Sequence, residues 1–143
     1  MKTALVSFLI FTGSFGFSQL SPVQTIGTST YKIDEINGVK MIKAPKGKTF
    51  YQISKDTQIP MSSLRAYNEF DSCKDIVIEG EIIYIERKKN KSKKTASIVL
   101  KKQSTLRKIS RNQAVRLSNL IKYNQQYSAD QELSRGERIF LRP

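Results

Sequence analysis

The apolar positions of this chain follow two spacings in turn. Around Asn37-Gly38, "YKIDEINGVKMIKA" alternates apolar and polar residues, the pattern of a two-residue hairpin. A short strand is therefore expected to pair with a following strand, Val39–Ala44. Phe50 and Ile53, then Leu64 and Tyr67, fall three apart, the spacing of one helix face. Thr49 with Gln52 has the capping-box spacing, in which two side chains reciprocally satisfy amides at a helix start. Asn68 is placed to end the second helix as a left-handed cap. Gly80 precedes a last apolar run, "EIIYIE". The unit reads strand, helix, helix, strand.

The same order returns 56 positions later: "SSLRAYN" from Ser62 becomes "SNLIKYN" from Ser118. Thr49 meets Thr105, Ile53-Ser54 meets Ile109-Ser110, Leu64 meets Leu120, Gly80-Glu81 meets Gly136-Glu137 and Ile83 meets Ile139. No gap is needed between Lys40–Arg87 and Ala96–Pro143, so the chain carries an internal duplication. The second copy opens on a strand Ser97–Leu100, places Leu106 and Ile109 on its first helix, and closes with "ERIFLR". The expected fold class is α+β: two tandem small βααβ units, each a two-stranded antiparallel sheet under two helices. Two strands are not stable alone, and the helices supply the missing apolar cover. Between the copies, "RKKNKSKKT" from Arg87 to Thr95 has no apolar residue and predicts a solvated linker, with each copy folding separately.

The N-terminus changes the picture next. Lys2, the mostly apolar run Ala4–Phe11 and the small residues Gly16 and Ser18 occur in the order of a secretory signal peptide cut before Gln19. The expected boundaries are a signal peptide at 1–18, a flexible lead-in at 19–37, a first unit at 38–87, a basic linker at 88–95 and a second unit at 96–143. Export to the periplasm or cell envelope, or secretion, follows, with no membrane span in the mature chain. The lone Cys73 cannot close an intramolecular disulfide.

Composition excludes some chemistry and suggests other. The chain has no His and one Cys, so a His-based triad, a His metal site and a Cys-rich zinc site are ruled out by counting. No metal or cofactor is expected. Asp71, Asp75, Glu79 and Glu81 cluster in sequence, but glycoside hydrolysis needs two carboxyls facing each other across a cleft, and a unit this small offers no evident cleft. The expectation is a protein that is not an enzyme. The net charge is +13, and no Asp or Glu occurs from Arg87 to Tyr127. That charge points either to solvated surface or to a polyanionic partner; export and the lack of a nucleic-acid-reading motif disfavour nucleic acid.

The ordered set "GKTFYQIS", "LRAYN" and "EGEIIYI", with "QSTLRKIS", "LIKYN" and "RGERIFL" in the second copy, resembles the LysM (lysin motif) domain. The pairing after "INGVKMIKAPKG" is similar to the LysM pairs of Bacteroidetes-type cell-wall glucosaminidases, here without a catalytic domain. The family's Gly-Asp-Thr turn is Gly47-Lys48-Thr49 in copy one and Gln103-Ser104-Thr105 in copy two. Pro60 and Arg116 replace the small polar cap common before the second helix.

The resemblance implies a non-catalytic binder of peptidoglycan or other N-acetylglucosamine polymers such as chitin, using a shallow groove between two loops. Carried over, one wall is Gly47, Lys48, Thr49 and Phe50, the other Ile76, Val77, Ile78 and Glu79. In copy two the walls are Gln103, Ser104, Thr105 and Leu106 against Glu132, Leu133, Ser134 and Arg135. Thr49 and Thr105 serve equally as plain helix caps, and Phe50 and Leu106 as core. Anionic envelope polymers and a second envelope protein are further candidate partners, the latter through LysM folds acting as a scaffold. Copy one, with its glycine and more apolar wall, is expected to hold sugar. Copy two, with Lys101, Lys102, Arg107, Lys108 and Arg111, is expected to add charge-driven attachment.

Overall fold

The computed structural model describes residues 25–26, 29–70 and 73–143. The signal peptide, residues 19–24 and 27–28 of the lead-in, and Asp71 lie outside the described residues. Two antiparallel two-residue strands, β1 (Thr25–Ile26) and β2 (Ser29–Thr30), precede the first repeat.

The hairpin at Asn37-Gly38 forms as the alternation predicts. It joins β3 (Ile33–Ile36) to β4 (Val39–Lys43), with Ile36 opposite Val39. Both turn residues have positive φ, 53° and 71°, the geometry that suits the twist of the flanking strands and selects Asn-Gly. Helices α1 (Phe50–Thr57) and α2 (Met61–Asn68) follow. Strand β5 (Ile82–Tyr84) then pairs antiparallel with the far edge of β4. The first sheet thus has three strands, β3-β4-β5, one more than the two expected, because the lead-in supplies the hairpin partner. The second repeat is β6 (Ser97–Val99), α3 (Leu106–Gln113), α4 (Leu117–Tyr123) and β7 (Arg138–Phe140), with β6 and β7 antiparallel.

Each repeat buries matched positions. Phe50, Ile53, Leu64, Val77, Ile83 and Ile85 form one core. Their counterparts Leu106, Ile109, Leu120, Leu133, Ile139 and Leu141 form the other. Removing each large side chain from water contributes about 1.5–3 kcal/mol, so the duplicated pattern is a duplicated core.

Asn68 and Asn124 do not take the left-handed role expected of them. After α2 the left-handed residue is Glu69, φ 54°, and Asn124 has φ −134°. Both asparagines are buried clamps instead. The Asn68 amide donates to the carbonyls of Leu64 (2.8 Å) and Tyr84 (2.9 Å), and its oxygen accepts from the Tyr84 amide at 2.7 Å. Asn124 repeats this on Leu120 and Phe140, at 2.8, 2.9 and 2.8 Å. Each ties the end of a helix to the outer edge of a closing strand, satisfying strand groups that have no neighbouring strand there. A backbone amide and carbonyl left unpaired in that buried place would be costly.

The basic segment between the copies is not a solvated linker. Lys88 and Ser92 are buried, at 5% exposure each. The Lys89 amide donates to the Ala114 carbonyl (3.0 Å), and the Lys89 carbonyl accepts from Arg116 (2.9 Å). Ser92 donates to Leu141 at 3.0 Å. The Asn90 carbonyl accepts from Asn119 and from the Tyr123 hydroxyl. The segment is a strap lying along the second repeat, because main-chain groups bind whatever the side-chain charge.

Nor do the repeats stand apart. Val39, Met41 and Tyr84, on the outer face of the first sheet, form a third cluster with Ala114, at the C-terminal cap of α3. The Tyr84 hydroxyl donates to the Arg111 carbonyl. Glu69 accepts from the Leu117 amide (2.8 Å), the Lys88 ammonium (2.7 Å) and the Ser110 hydroxyl (3.0 Å). Burial pushes the Lys88 ammonium below its ordinary pKa, against the opposing pull of Glu69 and with the help of Arg111 and Arg107. The copies share an interface, where the sequence predicts only a solvated linker between them.

Candidate functional site

In the first repeat the fold brings the two implied walls together. The β4–α1 turn and the loop before β5 meet in an antiparallel bridge, Thr49 opposite Ile76, and the Phe50 amide donates to the Asp75 carbonyl at 2.9 Å. Gly47 has φ 74°, and a Cβ built on it would meet nothing within 4 Å. The turn needs glycine for its backbone, and the space beside it is open to a ligand. The Thr49 capping box forms in full: the Gln52 amide donates to the Thr49 hydroxyl (3.2 Å) and the Thr49 amide to the Gln52 side chain (2.9 Å). The Lys48 ammonium turns away to Asp56 at 2.8 Å, where the Tyr31 hydroxyl also donates, at 2.7 Å.

The second wall alternates strictly. Val77 points into the core, while Ile76 and Ile78 are 80% and 72% exposed. Two large aliphatic side chains held outward beside an open glycine turn form an apolar surface at the mouth of the groove. Glu79 is exposed beyond them. Phe50 is wholly buried and serves as core under the site, not as its floor.

The second repeat keeps the frame and alters the mouth. Ser104 and Leu133 exchange both main-chain hydrogen bonds, at 3.1 and 2.8 Å. Leu106 and Leu133 are buried, and Thr105 caps α3 through the Lys108 amide. The Gln103 amide donates to Glu132 at 2.7 Å, bridging wall to wall. Gln103 is not among the described residues with positive φ, so this turn takes another path from that at Gly47. Ser134 and Arg135 are exposed. The outward positions matching Ile76 and Ile78 are Glu132 and Ser134, and no apolar pair faces solvent there.

Two of the five cations around α3 are internally engaged. Arg107 binds Asp130 bidentately, at 2.6 and 2.9 Å, and Arg111 reaches Glu81 of the first repeat at 3.2 Å. Glu81 also pairs with Lys74, while Asp75 and Glu79 are exposed. Among the described residues no group of acidic, His or Cys side chains is arranged to hold a metal, and no helix is long and apolar enough to cross a membrane.

Sequence reasoning missed Glu69 and Tyr84 as contacts between the copies. A signal existed in the first sheet: Val39 and Met41 alternate with polar neighbours while Ile42 is apolar too, the mark of a strand covered on both faces.

This geometry coincides with a family match: residues 46–85, from the β4–α1 turn through β5, match the LysM domain. No curated protein matches the chain. Among solved structures it is similar to the crystal structure of the Bacillus megaterium QM B1551 spore cortex-lytic enzyme SleL, at 20% identity over 72% of this chain, with a TM-score of 0.31. This chain spans 22% of the length of that one.

Proposed function

We propose that this protein is a non-catalytic binder of peptidoglycan or related N-acetylglucosamine glycans in the cell envelope, built from two tandem LysM-type units. One observation carries the reading: the LysM match at 46–85 falls on the repeat whose two loops meet beside an open glycine turn with Ile76 and Ile78 exposed. The chemistry suits N-acetyl sugars. Main-chain groups of the two loops can bond the acetamide, and aliphatic side chains can cover its methyl and the pyranose face, the mix of apolar surface and few polar groups that small-ligand sites use.

Copy one carries the glycan affinity. In copy two the Gln103–Glu132 bond spans the mouth and would have to open. Lys101, Lys102 and Lys108 remain exposed there and supply attraction to anionic wall, which salt screens. The shared interface gives the two grooves one fixed relative geometry, so any gain from two sites depends on their spacing and not on linker length.

The test is binding of the chain to insoluble peptidoglycan and chitin at low and high salt, with calorimetric titration of chitooligosaccharides. Salt-resistant binding with saturable heat supports the groove. Binding that vanishes as salt rises would move the function to polyanion attachment. Failure to bind either polymer would favour a protein scaffold.

A further inference from the structure

The contact between the two repeats is heterologous: the sheet face of the first seats on the α3–α4 groove of the second. Each of these surfaces has a counterpart 56 positions away, and among the described residues both counterparts carry exposed apolar or aromatic side chains.

The counterpart groove lies on the first repeat between α1 and α2. It measures about 500 Å³ and is lined by Tyr51, Lys55, Gln58 and Met61, among others. Their counterparts are Arg107, Arg111, Ala114 and Leu117; the last three meet the first repeat or its strap, and Arg107 beside them binds Asp130. The backbones match: Gln58 and Ala114 are both left-handed, at φ 57° and 49°. The N-termini of α2 and α4 both lack a local side-chain cap; α4 receives Glu69 from across the interface. In the groove of the first repeat, Tyr51 is 52% exposed, and Lys55 contacts the Tyr51 ring with no ion pair among the described residues.

The counterpart face is the outer side of β6 and β7. Phe140 stands where the first sheet has Tyr84, and Val99 where it has Lys43; they are 44% and 54% exposed. Beside them Glu137 stands where Glu81 meets Arg111. Position 55, the counterpart of Arg111, offers a lysine.

We propose that this chain associates with itself head to tail, the Phe140–Glu137 face of one molecule seating on the Tyr51–Lys55 groove of the next. The contact repeats between molecules the one already formed within each. It is weaker, because Thr95, Ser97 and Gln58 stand where the internal contact has the buried Val39, Met41 and Ala114, because Gln125 replaces Glu69 and Phe140 lacks the hydroxyl that Tyr84 gives to Arg111, and because covalent linkage no longer raises the local concentration. A heterologous contact does not saturate at two copies; it extends into a filament or closes into a ring. Repeat proteins avoid this by polar end faces, and here both end faces are apolar in part.

Sedimentation velocity of the chain in the form its cell produces, across a concentration series without glycan, tests this. The mass should climb past that of a dimer. Tyr51→Glu and Phe140→Glu should each remain monomeric, with circular dichroism showing that both fold. Mixed in equal amounts they should give a dimer and nothing larger, since each retains one intact face. Should either fail to fold, Lys55→Glu and Phe140→Ser remove the same faces. A wild-type chain monomeric at every concentration, one that stops at two, or a mixture that stays monomeric would overturn the proposal, as would assembly by either variant alone.

Discussion

Glu69 and Leu117 lie 48 residues apart, and a Glu69 carboxylate oxygen accepts the Leu117 main-chain amide at 2.8 Å. A residue just past one repeat's second helix thereby caps the second helix of the other. A carboxylate at a helix N-terminus meets unpaired amides and the positive end of the helix dipole. Its other oxygen neutralises Lys88, whose side chain is 4% exposed.

Glu69→Ala should therefore do more than remove a cap. It leaves the buried Lys88 ammonium without its carboxylate, at a cost of roughly 2–4 kcal/mol once the partial exposure of Glu69 is allowed for. Replacing Lys88 to Ser92 with Gly and Ser at equal length should also destabilise, where a solvated linker would be silent. Urea unfolding checks both: the parent chain should melt as one unit, and either variant should lower the midpoint or split the transition.

The asparagine clamps separate two readings by one substitution. If Asn68 acted by taking a left-handed conformation, Asn68→Gly would be close to neutral. As a clamp with three hydrogen bonds to Leu64 and Tyr84, its loss should cost about 2–4 kcal/mol with Gly and Ala alike. Guanidinium denaturation of both variants, and of Asn124→Gly, measures it.

Tyr31 and Tyr84 should make stability fall at alkaline pH. Burial holds both phenols well above their ordinary pKa, aided at Tyr31 by the hydrogen bond to Asp56 and opposed at Tyr84 by main-chain bonding and Arg111. A pKa raised in the folded state contributes stability that is complete below the unfolded value, about 10. That stability is lost as pH rises through the window above it. Stability should thus fall above pH ~10. Tyr84→Phe should lose about 1 kcal/mol at neutral pH and show a shallower alkaline decline. Thermal melts from pH 7 to 11 (an approximate span around the phenol value) with ultraviolet titration test this; an unchanged slope would assign the decline elsewhere.

At the groove, stability and affinity should part. Ile76→Ser and Ile78→Ser alter exposed side chains and should change stability by no more than about 0.5 kcal/mol. Each should weaken chitooligosaccharide binding roughly tenfold, the effect of ~1.4 kcal/mol of lost apolar contact. Gly47→Val meets no neighbour but must hold a β-branched residue at φ 74°, costing about 1–2 kcal/mol while also reducing affinity. The matching change Glu132→Ser removes the Gln103 bond across the mouth of copy two and takes away no apolar contact, so it should not weaken binding. Calorimetry beside a denaturation curve for each variant gives both numbers.

The sequence by itself determined the elements and their duplication. Periodicities of two and three residues, the Thr49–Gln52 box, Asn37-Gly38 and the turn glycines act through neighbours a few positions away, so they are legible without the fold. The matched apolar positions marked both cores for the same reason, and the resemblance to LysM domains, not any local period, put Thr49 and Ile76 into one candidate site. What Asn68 does was not legible, because both a left-handed cap and a clamp use Asn at a helix end, and only the nearness of Tyr84 decides between them. The strap was read wrongly because side-chain charge says nothing of where main-chain amides of Lys89 and Ser92 find acceptors. The interface partners Glu69 and Ala114 were not legible for a related reason: Val39, Met41 and Ile42 mark a strand covered on both faces, but a contact between residues far apart in sequence leaves no local period to say what covers it. Tertiary structure alone decided what covers the second face of the first sheet, that Ile76 and Ile78 point outward, and that Gln103 reaches Glu132. Each depends on which surfaces meet once the chain has folded back on itself.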